Sequence, residues 1–504
     1  MKADMVIIGA GIVGSTIARE LSRYDLNIIV VEKNSDVAFG SPTKANTGII
    51  HAGYDDKPEM VKAKLCSKGN ALWHKIAPEV GAPFKEIGSF VVALKEEDMS
   101  ILKELKERGE KNGIPDLEII KDPEELLKRE PNLNGEAIAV LYAPTAAITS
   151  PYELAMAMAE NAMENGVKVI LDTEVIGIMV KKRELRSVQT NKGRIETNYV
   201  VNAAGLQADE VSAMTGIDRF TIHPRKGEYC VFDKELNGLV QQILFPVPTP
   251  VGKGIVVTPT VDGNILIGPN AHDVKHKNDS ATTLKGLEEV FSGALRLIPK
   301  LAEKRNMMIA NFCGLRPEPD TEDFIIESYD EVRGFVNAAG MKSPGLTAAP
   351  AVAQTVTVLL RKSGLELREK DSFNAFRRPI DRSVRKLAIE RAKWLIARDP
   401  TWGHVVCRCE HVTEGEILEA IQRGATTLDG IKFRARTGMG RCQGGFCTPH
   451  IIKILARELG ISVQDVTKRG GNSRLLSYKV KELLLRDELD DLEEAEKGDP
   501  RHNE

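Results

Sequence analysis

Two short apolar runs, Met5-Val6-Ile7-Ile8 and Ile28-Ile29-Val30-Val31, flank a stretch in which Ile17, Ala18 and Leu21 recur at helical spacing. Unbroken apolar runs suit strands buried on both faces, and a 3.6-residue period suits an amphipathic helix. Residues 5–33 therefore read as a βαβ unit. The same patterning predicts helices near 58–79, 96–112 and 151–165. It predicts strands near 89–94, 167–180, 199–202, 228–232 and 254–268, with Asp262-Gly263-Asn264 as a turn. A strand, a loop and a helix return over 332–360. The class is α/β, with an inserted region expected to be mainly antiparallel. Residues 363–400 look like a charged connector with a helix at 384–397. A small domain is expected over 401–465, then a charged tail over 466–504 that is helix-like at first, acid-rich over Asp487–Glu496, and expected to be disordered from Lys497 on. No internal repeat is evident.

At 504 residues the chain exceeds one ordinary core, so two or three domains are expected. A net charge of −3 gives no electrostatic case for nucleic acid. No apolar run approaches the roughly 20 residues that span a bilayer. The first strand follows Met1-Lys2-Ala3-Asp4 directly, so no signal peptide is expected and the location is read as cytoplasmic, or peripheral to a membrane through a partner.

Between the first two strands lies Gly9-Ala10-Gly11-Ile12-Val13-Gly14. In such a turn Gly9 permits the tight bend, Gly11 lets the backbone approach a pyrophosphate, and Gly14 lets the helix pack on the strand. Glu32 ends the second strand, where a carboxylate can bind ribose hydroxyls. Toward the other end, four of the seven cysteines fall in two pairs, Cys407/Cys409 and Cys442/Cys447, separated by residues 410–441. Thiolates grouped this way can share an iron–sulfur cluster or a zinc ion. Cys66, Cys230 and Cys313 are scattered singly and read as buried small apolar residues.

The N-terminal unit, Val200-Val201-Asn202-Ala203-Ala204-Gly205 with Asp209, and Gly314-Leu315-Arg316-Pro317 together resemble the glutathione-reductase-type FAD fold. More narrowly, they resemble the D-amino-acid oxidase superfamily. The resemblance implies FAD-binding parts near 1–80, 145–220 and 310–362, and substrate-domain parts near 81–144 and 221–309. It implies that the loop Asn337–Thr347 and the following helix lie beside the flavin ring. The cofactor-contacting set would then comprise Gly9, Gly11, Gly14, Glu32, Lys44, Asn46, Thr47, Gly205, Asp209, Gly340, Gly345, Leu346 and Thr347. The sequences around the cysteines, Val406 to Ile417 and Thr437 to Cys442, resemble the bacterioferritin-associated-ferredoxin-like domain. That likeness implies a 2Fe–2S cluster on Cys407, Cys409, Cys442 and Cys447. Arg408, Arg434, Arg436 and Arg441 would offset its charge, and N–H groups of Gly438, Gly440, Gly444 and Gly445 would face its sulfurs. His404, His411 and His450 are read as surface or packing residues.

Asn46-Thr47-Gly48-Ile49-Ile50-His51-Ala52-Gly53 is similar to a segment of L-2-hydroxyglutarate dehydrogenases and of anaerobic glycerol-3-phosphate dehydrogenases. Oxidising their secondary alcohols needs a base, a fixed carbinol carbon and cations for the anionic end. His51 is the expected base, and Arg316 the expected anion anchor. Lys342, two positions after Gly340, favours a phosphate over a carboxylate; hydroxyglutarate enzymes tend to be apolar or acidic there. Lys44, Lys226 and Arg225 are lesser candidates. The whole is similar to the catalytic subunit of an FAD-dependent glycerol-3-phosphate dehydrogenase, with a small anionic substrate and a second redox subunit accepting electrons. A higher oligomer is compatible with this reading. A 2-hydroxyacid dehydrogenase and an electron-transfer subunit of an amine or proline dehydrogenase are the alternatives.

Overall fold

The computed structural model describes residues 1–249, 252, 254–380, 384 and 387–478; the acid-rich end of the tail lies outside the described residues. The chain divides into Met1–Pro379 and Ile380–Glu504.

At the centre of the first unit is a parallel sheet. Its order is Lys168–Ile170, Ile28–Val31, Met5–Ile8, Tyr199–Asn202 and Val332–Ala339, extended by Glu184–Thr190 and Val175–Lys181. The two N-terminal strands are wholly buried, as their unbroken apolar runs require. The helix Ile12–Leu21 packs on two others, Pro151–Glu164 and Gly345–Lys362. The second sheet is antiparallel except where Ile243–Pro246 runs parallel to Ser89–Ala93. Phe90, Phe232, Leu244, Val257 and Ile267 form its core, covered by the helix Leu284–Leu295.

Two elements differ from their sequence reading, and a third, 254–268, follows it. The run 167–180 is two strands. The run 254–268 is the hairpin Val256–Pro259 and Ile265–Gly268, turning at Asp262-Gly263-Asn264. The strand expected at 228–232 begins at Ile222 and pairs along its whole length with Met308–Pro319. Pro224 and the charges beside it disguise that strand, since proline is a poor strand residue.

The connector also differs. Residues 363–379 belong to the first unit and are held there by their own charges and amides. Arg19, 1% exposed, donates to Glu79 (2.8 Å), to Asn161 Oδ1 (2.9 Å) and to the carbonyl of Ala375 (3.0 Å). Arg377 reaches Glu160 (2.7 Å) and the carbonyl of Val80 (3.0 Å). The expected helix is Ile389–Arg398 and lies in the second unit. There, helices Glu414–Gln422, Leu428–Ala435 and Thr448–Leu459 surround Ile417, Ile431 and Leu455. Thr413 and Glu416 close a capping box on the first of these.

Arg19→Met removes a buried cation and leaves Glu79 without its main partner. It is expected to destabilise the first unit by about 3–5 kcal/mol, read as a lower guanidinium midpoint. An unchanged midpoint would mean that other contacts hold the 364–379 segment.

Candidate functional site

The nucleotide turn is shaped by missing side chains. Gly9 has φ +99°, and a Cβ there would stand 2.5 Å from the carbonyl oxygen of Ala203. A Cβ on Gly14 would stand 2.0 Å from the carbonyl oxygen of Gly9. Gly11 begins the helix with no side-chain cap. Its neighbour Ile12 donates its N–H to Thr43 Oγ1 (3.0 Å), so the loop after the second strand closes over the helix start. A helix N-terminus bearing unpaired N–H groups is a phosphate cradle. Glu32 accepts the Ala10 N–H (2.8 Å) and both the N–H and side-chain amide of Asn34 (2.9 and 2.7 Å). Burial pushes its carboxyl upward against those bonds. The chain thus carries the steric and donor set that a dinucleotide such as FAD needs.

The following loop is self-braced. Asn46 accepts the Gly48 N–H and donates to the carbonyls of Pro42 and Thr43. The Lys44 ammonium lies 4.8 Å from the Phe39 ring centre, and Thr47 is half-buried. Gly205 has φ +60° and opens a short 3-10 turn. Asp209 pairs with Lys277 (2.6 Å) and accepts the Ile222 N–H (3.0 Å), joining the nucleotide fold to the long strand.

Loop 340–347 carries Lys342 and meets His51. At one end Lys342 makes a 2.6 Å ion pair with Glu318. Its charge is matched by Glu318, so a phosphate reaching this ammonium would share it with that carboxylate. At the other end, where the helix Gly345–Lys362 starts, Thr347 Oγ1 accepts the His51 N–H (2.9 Å). Asn70 donates to the His51 carbonyl (3.0 Å), and Trp73 donates to the Leu346 carbonyl (3.1 Å). His51 is thus fixed on both sides of its backbone, with its ring 5.4 Å from that of Phe245. Asn70 and Trp73 were not singled out in the sequence. Their three-residue spacing on the helix Val61–Glu79 puts them on one face, which is the only local signal they carry.

Arg316 is held differently from Lys342. Its Nη2 donates to the carbonyls of Lys226 (3.0 Å) and Asn270 (2.8 Å), and its Nε lies 3.4 Å from the carbonyl of Arg225. Among the described residues no carboxylate pairs with it, and Nη1 has no partner. Lys226 is buried against Asp279 (3.2 Å), and Arg225 lies 3.8 Å from Asp273.

In the second unit the four thiols meet two by two, Cys407 with Cys447 and Cys409 with Cys442. Among the described residues no three His, Cys, Asp or Glu side chains converge as one ion would require. Two thiols at each of two points is the donor set of a two-iron cluster. The thiol of Cys447 pulls Cys407 down to about 6, and the N–H groups of Gly438 and Glu410 act in the same direction against burial. N–H groups of Phe446, Gly444 and Gly445 face Cys442. Gly440 also acts by the side chain it lacks: a Cβ there would sit 2.3 Å from Cβ of Cys409. Arg436 pairs with Glu410 (3.1 Å) and Arg434 donates to the carbonyl of Gly430, whereas Arg408 and Arg441 are exposed. His404 pairs with Glu414 (2.7 Å); His411 and His450 are at the surface.

Comparison with known proteins finds a family for each of the two units. Residues 4–359 match the FAD dependent oxidoreductase family model, and residues 405–457 match a BFD-like 2Fe-2S binding domain. A glycerol 3-phosphate dehydrogenase of Caloramator mitchellensis is 44% identical over 480 residues, covering 95% of this chain and 99% of that protein. A human mitochondrial L-2-hydroxyglutarate dehydrogenase is 36% identical over 284 residues, 53% of this chain and 60% of that protein. The structure of dithionite-reduced L-alpha-glycerophosphate oxidase from Mycoplasma pneumoniae with FAD bound superposes with a TM-score of 0.70. It is 32% identical and covers 75% of this chain and 98% of that one.

Anaerobically purified protein is expected to hold one FAD and about two irons and two sulfides per chain. Stoichiometric zinc without iron would contradict the cluster. Gly440→Ala is expected to cut iron content to under about half by pressing on Cys409, with FAD content unchanged.

Proposed function

Since the chain belongs to the FAD dependent oxidoreductase family and carries a BFD-like 2Fe-2S domain, we propose that it oxidises sn-glycerol 3-phosphate to dihydroxyacetone phosphate and delivers the electrons singly to a second redox protein. The observation that carries the substrate assignment is likeness along nearly the full chain, both domains included, to a glycerol 3-phosphate dehydrogenase. The likeness to hydroxyglutarate enzymes covers about half of it. FAD bound at the Gly9–Gly14 turn supplies a two-electron acceptor, and a cluster on the four cysteines supplies a one-electron one.

The protein's own residues supply the rest. His51, with its backbone clamped by Thr347 and Asn70, takes the proton of the secondary hydroxyl as the carbinol carbon gives up hydride. Arg316 holds the phosphate through Nη1, because its other donors already rest on carbonyls. Lys342 acts with Glu318 as a brace for the loop that carries Thr347. Among the described residues no helix is long and apolar enough to cross a membrane. Any membrane association would pass through the electron-accepting partner.

His51→Gln is expected to slow anaerobic flavin reduction by glycerol 3-phosphate by roughly 10²–10⁴-fold with FAD retained. A near wild-type rate would remove the base role. Arg316→Ala is expected to weaken glycerol 3-phosphate by about 10- to 150-fold, the size of one lost charged hydrogen bond. If L-2-hydroxyglutarate reduces the wild-type flavin faster than glycerol 3-phosphate does, the substrate assignment fails.

A further inference from the structure

The carbonyl of Asn270 is the shortest contact that Arg316 makes, so whatever fixes Asn270 also fixes the guanidinium. Asn270 is 2% exposed and is tied reciprocally to one residue, Glu228. Its Oδ1 accepts the Glu228 N–H (2.8 Å), and its Nδ2 donates to Glu228 Oε2 (2.9 Å). Weaker Nδ2 contacts run to the Gly286 carbonyl and to Glu289, both at 3.3 Å. Glu289 in turn is engaged by His272 (2.6 Å).

Glu228 is itself buried and bonded on both carboxylate oxygens. It is 1% exposed, and its Oε1 accepts both the N–H and the hydroxyl of Thr283, the N-cap of the helix Leu284–Leu295. The carboxylate thus sits at the positive end of a twelve-residue helix. Gly286 leaves the space it occupies: a Cβ there would fall 1.5 Å from Glu228 Oε2. Gly227 does the same for the guanidinium, since a Cβ at that position would lie 3.2 Å from Arg316 Nη2 and 2.7 Å from Pro269. A helix N-terminus, a carboxylate, an amide and a carbonyl therefore form one rigid line ending on Arg316.

We propose that Glu228 and Asn270 form a clasp that sets the orientation of Arg316 for the substrate's anionic end, acting as positioning residues for substrate binding. The inference rests on Arg316 being the anion anchor. Breaking the clasp releases the Asn270 carbonyl and lets the guanidinium turn. The loss falls on KM and anion affinity, with kcat at saturating substrate kept.

The test uses the holoenzyme with FAD and cluster loaded. It measures KM and kcat for glycerol 3-phosphate, and inorganic phosphate affinity by calorimetry. Asn270→Ala is expected to raise KM and the phosphate Kd roughly 3- to 10-fold, the size of one or two neutral hydrogen bonds. Added to Arg316→Ala, it should cause no further loss, because the two act through one guanidinium. Asn270→Asp alone sets an acid against Glu228 and should also raise KM. Combining Asn270→Asp with Glu228→Gln, in a Glu289→Gln background that removes the second acid facing position 270, restores a donor facing an acceptor in the reverse sense and should recover KM to within about threefold of that background. A residue that merely stabilises the fold would lower the melting temperature without this rescue. If Asn270→Ala does not fold, the Asn270→Asp single variant and the reversed pair decide the matter, and failure of the reversed pair to recover KM overturns the clasp. If Asn270→Ala binds phosphate as wild type does, or if its loss adds in full to that of Arg316→Ala, the clasp is also overturned. If Arg316→Ala itself leaves phosphate affinity unchanged, the anchor reading falls instead.

Discussion

The first unit depends on one close approach, that of the Ala203 carbonyl to the bare Cα of Gly9. It lets the strands Met5–Ile8 and Tyr199–Asn202 run side by side to their ends, with the nucleotide turn emerging directly above them. From there order passes sideways through the sheet. Asn202 donates to the side chain of Asn337 on the neighbouring strand (2.8 Å), and Asn337 also reaches Ser212 and Tyr329. That strand leads into loop 340–347, which carries Lys342 at one end and Thr347, the clamp on His51, at the other. A side chain at position 9 would push apart the strands that set all of these positions.

Arg316 and Lys342 show how the surroundings of a charge decide what it can do. Both lie close to the same strand edge and both are cations. Lys342 is met by a carboxylate, so the pair is self-sufficient. Arg316 is met by carbonyl oxygens, which orient it without cancelling its charge. The same logic recurs with opposite sign: Glu32, Glu228 and the thiols of Cys407 and Cys442 are each met by backbone N–H groups. A neutral dipole fixes a charge in place and leaves its field available to a ligand; an opposite charge does not.

Local features made much of this legible in the sequence. The βαβ unit follows from apolar runs and three glycines, and a metal-binding group of thiolates from cysteine spacing; the 2Fe–2S cluster and the flavin-side loop were expected from family resemblance. What stayed hidden depends on register between distant strands. Glu318 finds Lys342 only because Gly340 packs on Pro319. The carbonyls around Arg316 come from residues about ninety and about forty-six positions away and have no side-chain signature. The strand Ile222–Phe232 was half concealed by Pro224 and its charged neighbours. The charges of the connector looked solvated because their partners lie more than two hundred residues upstream: Glu160 and the Val80 carbonyl for Arg377, and the Asn165 carbonyl for Lys370.

The contact between Gly286 and Glu228 ties two distant positions into a single heritable trait. The carboxylate is gripped by Thr283 and Asn270 and cannot swing aside, so even a methyl group at 286 and an acid at 228 exclude one another. A descendant of this chain that gains a side chain at 286 must first shorten residue 228. A descendant that keeps the acid is confined to glycine, although position 286 lies inside a helix, where glycine is otherwise a poor choice. Across relatives the two sites should drift together or not at all.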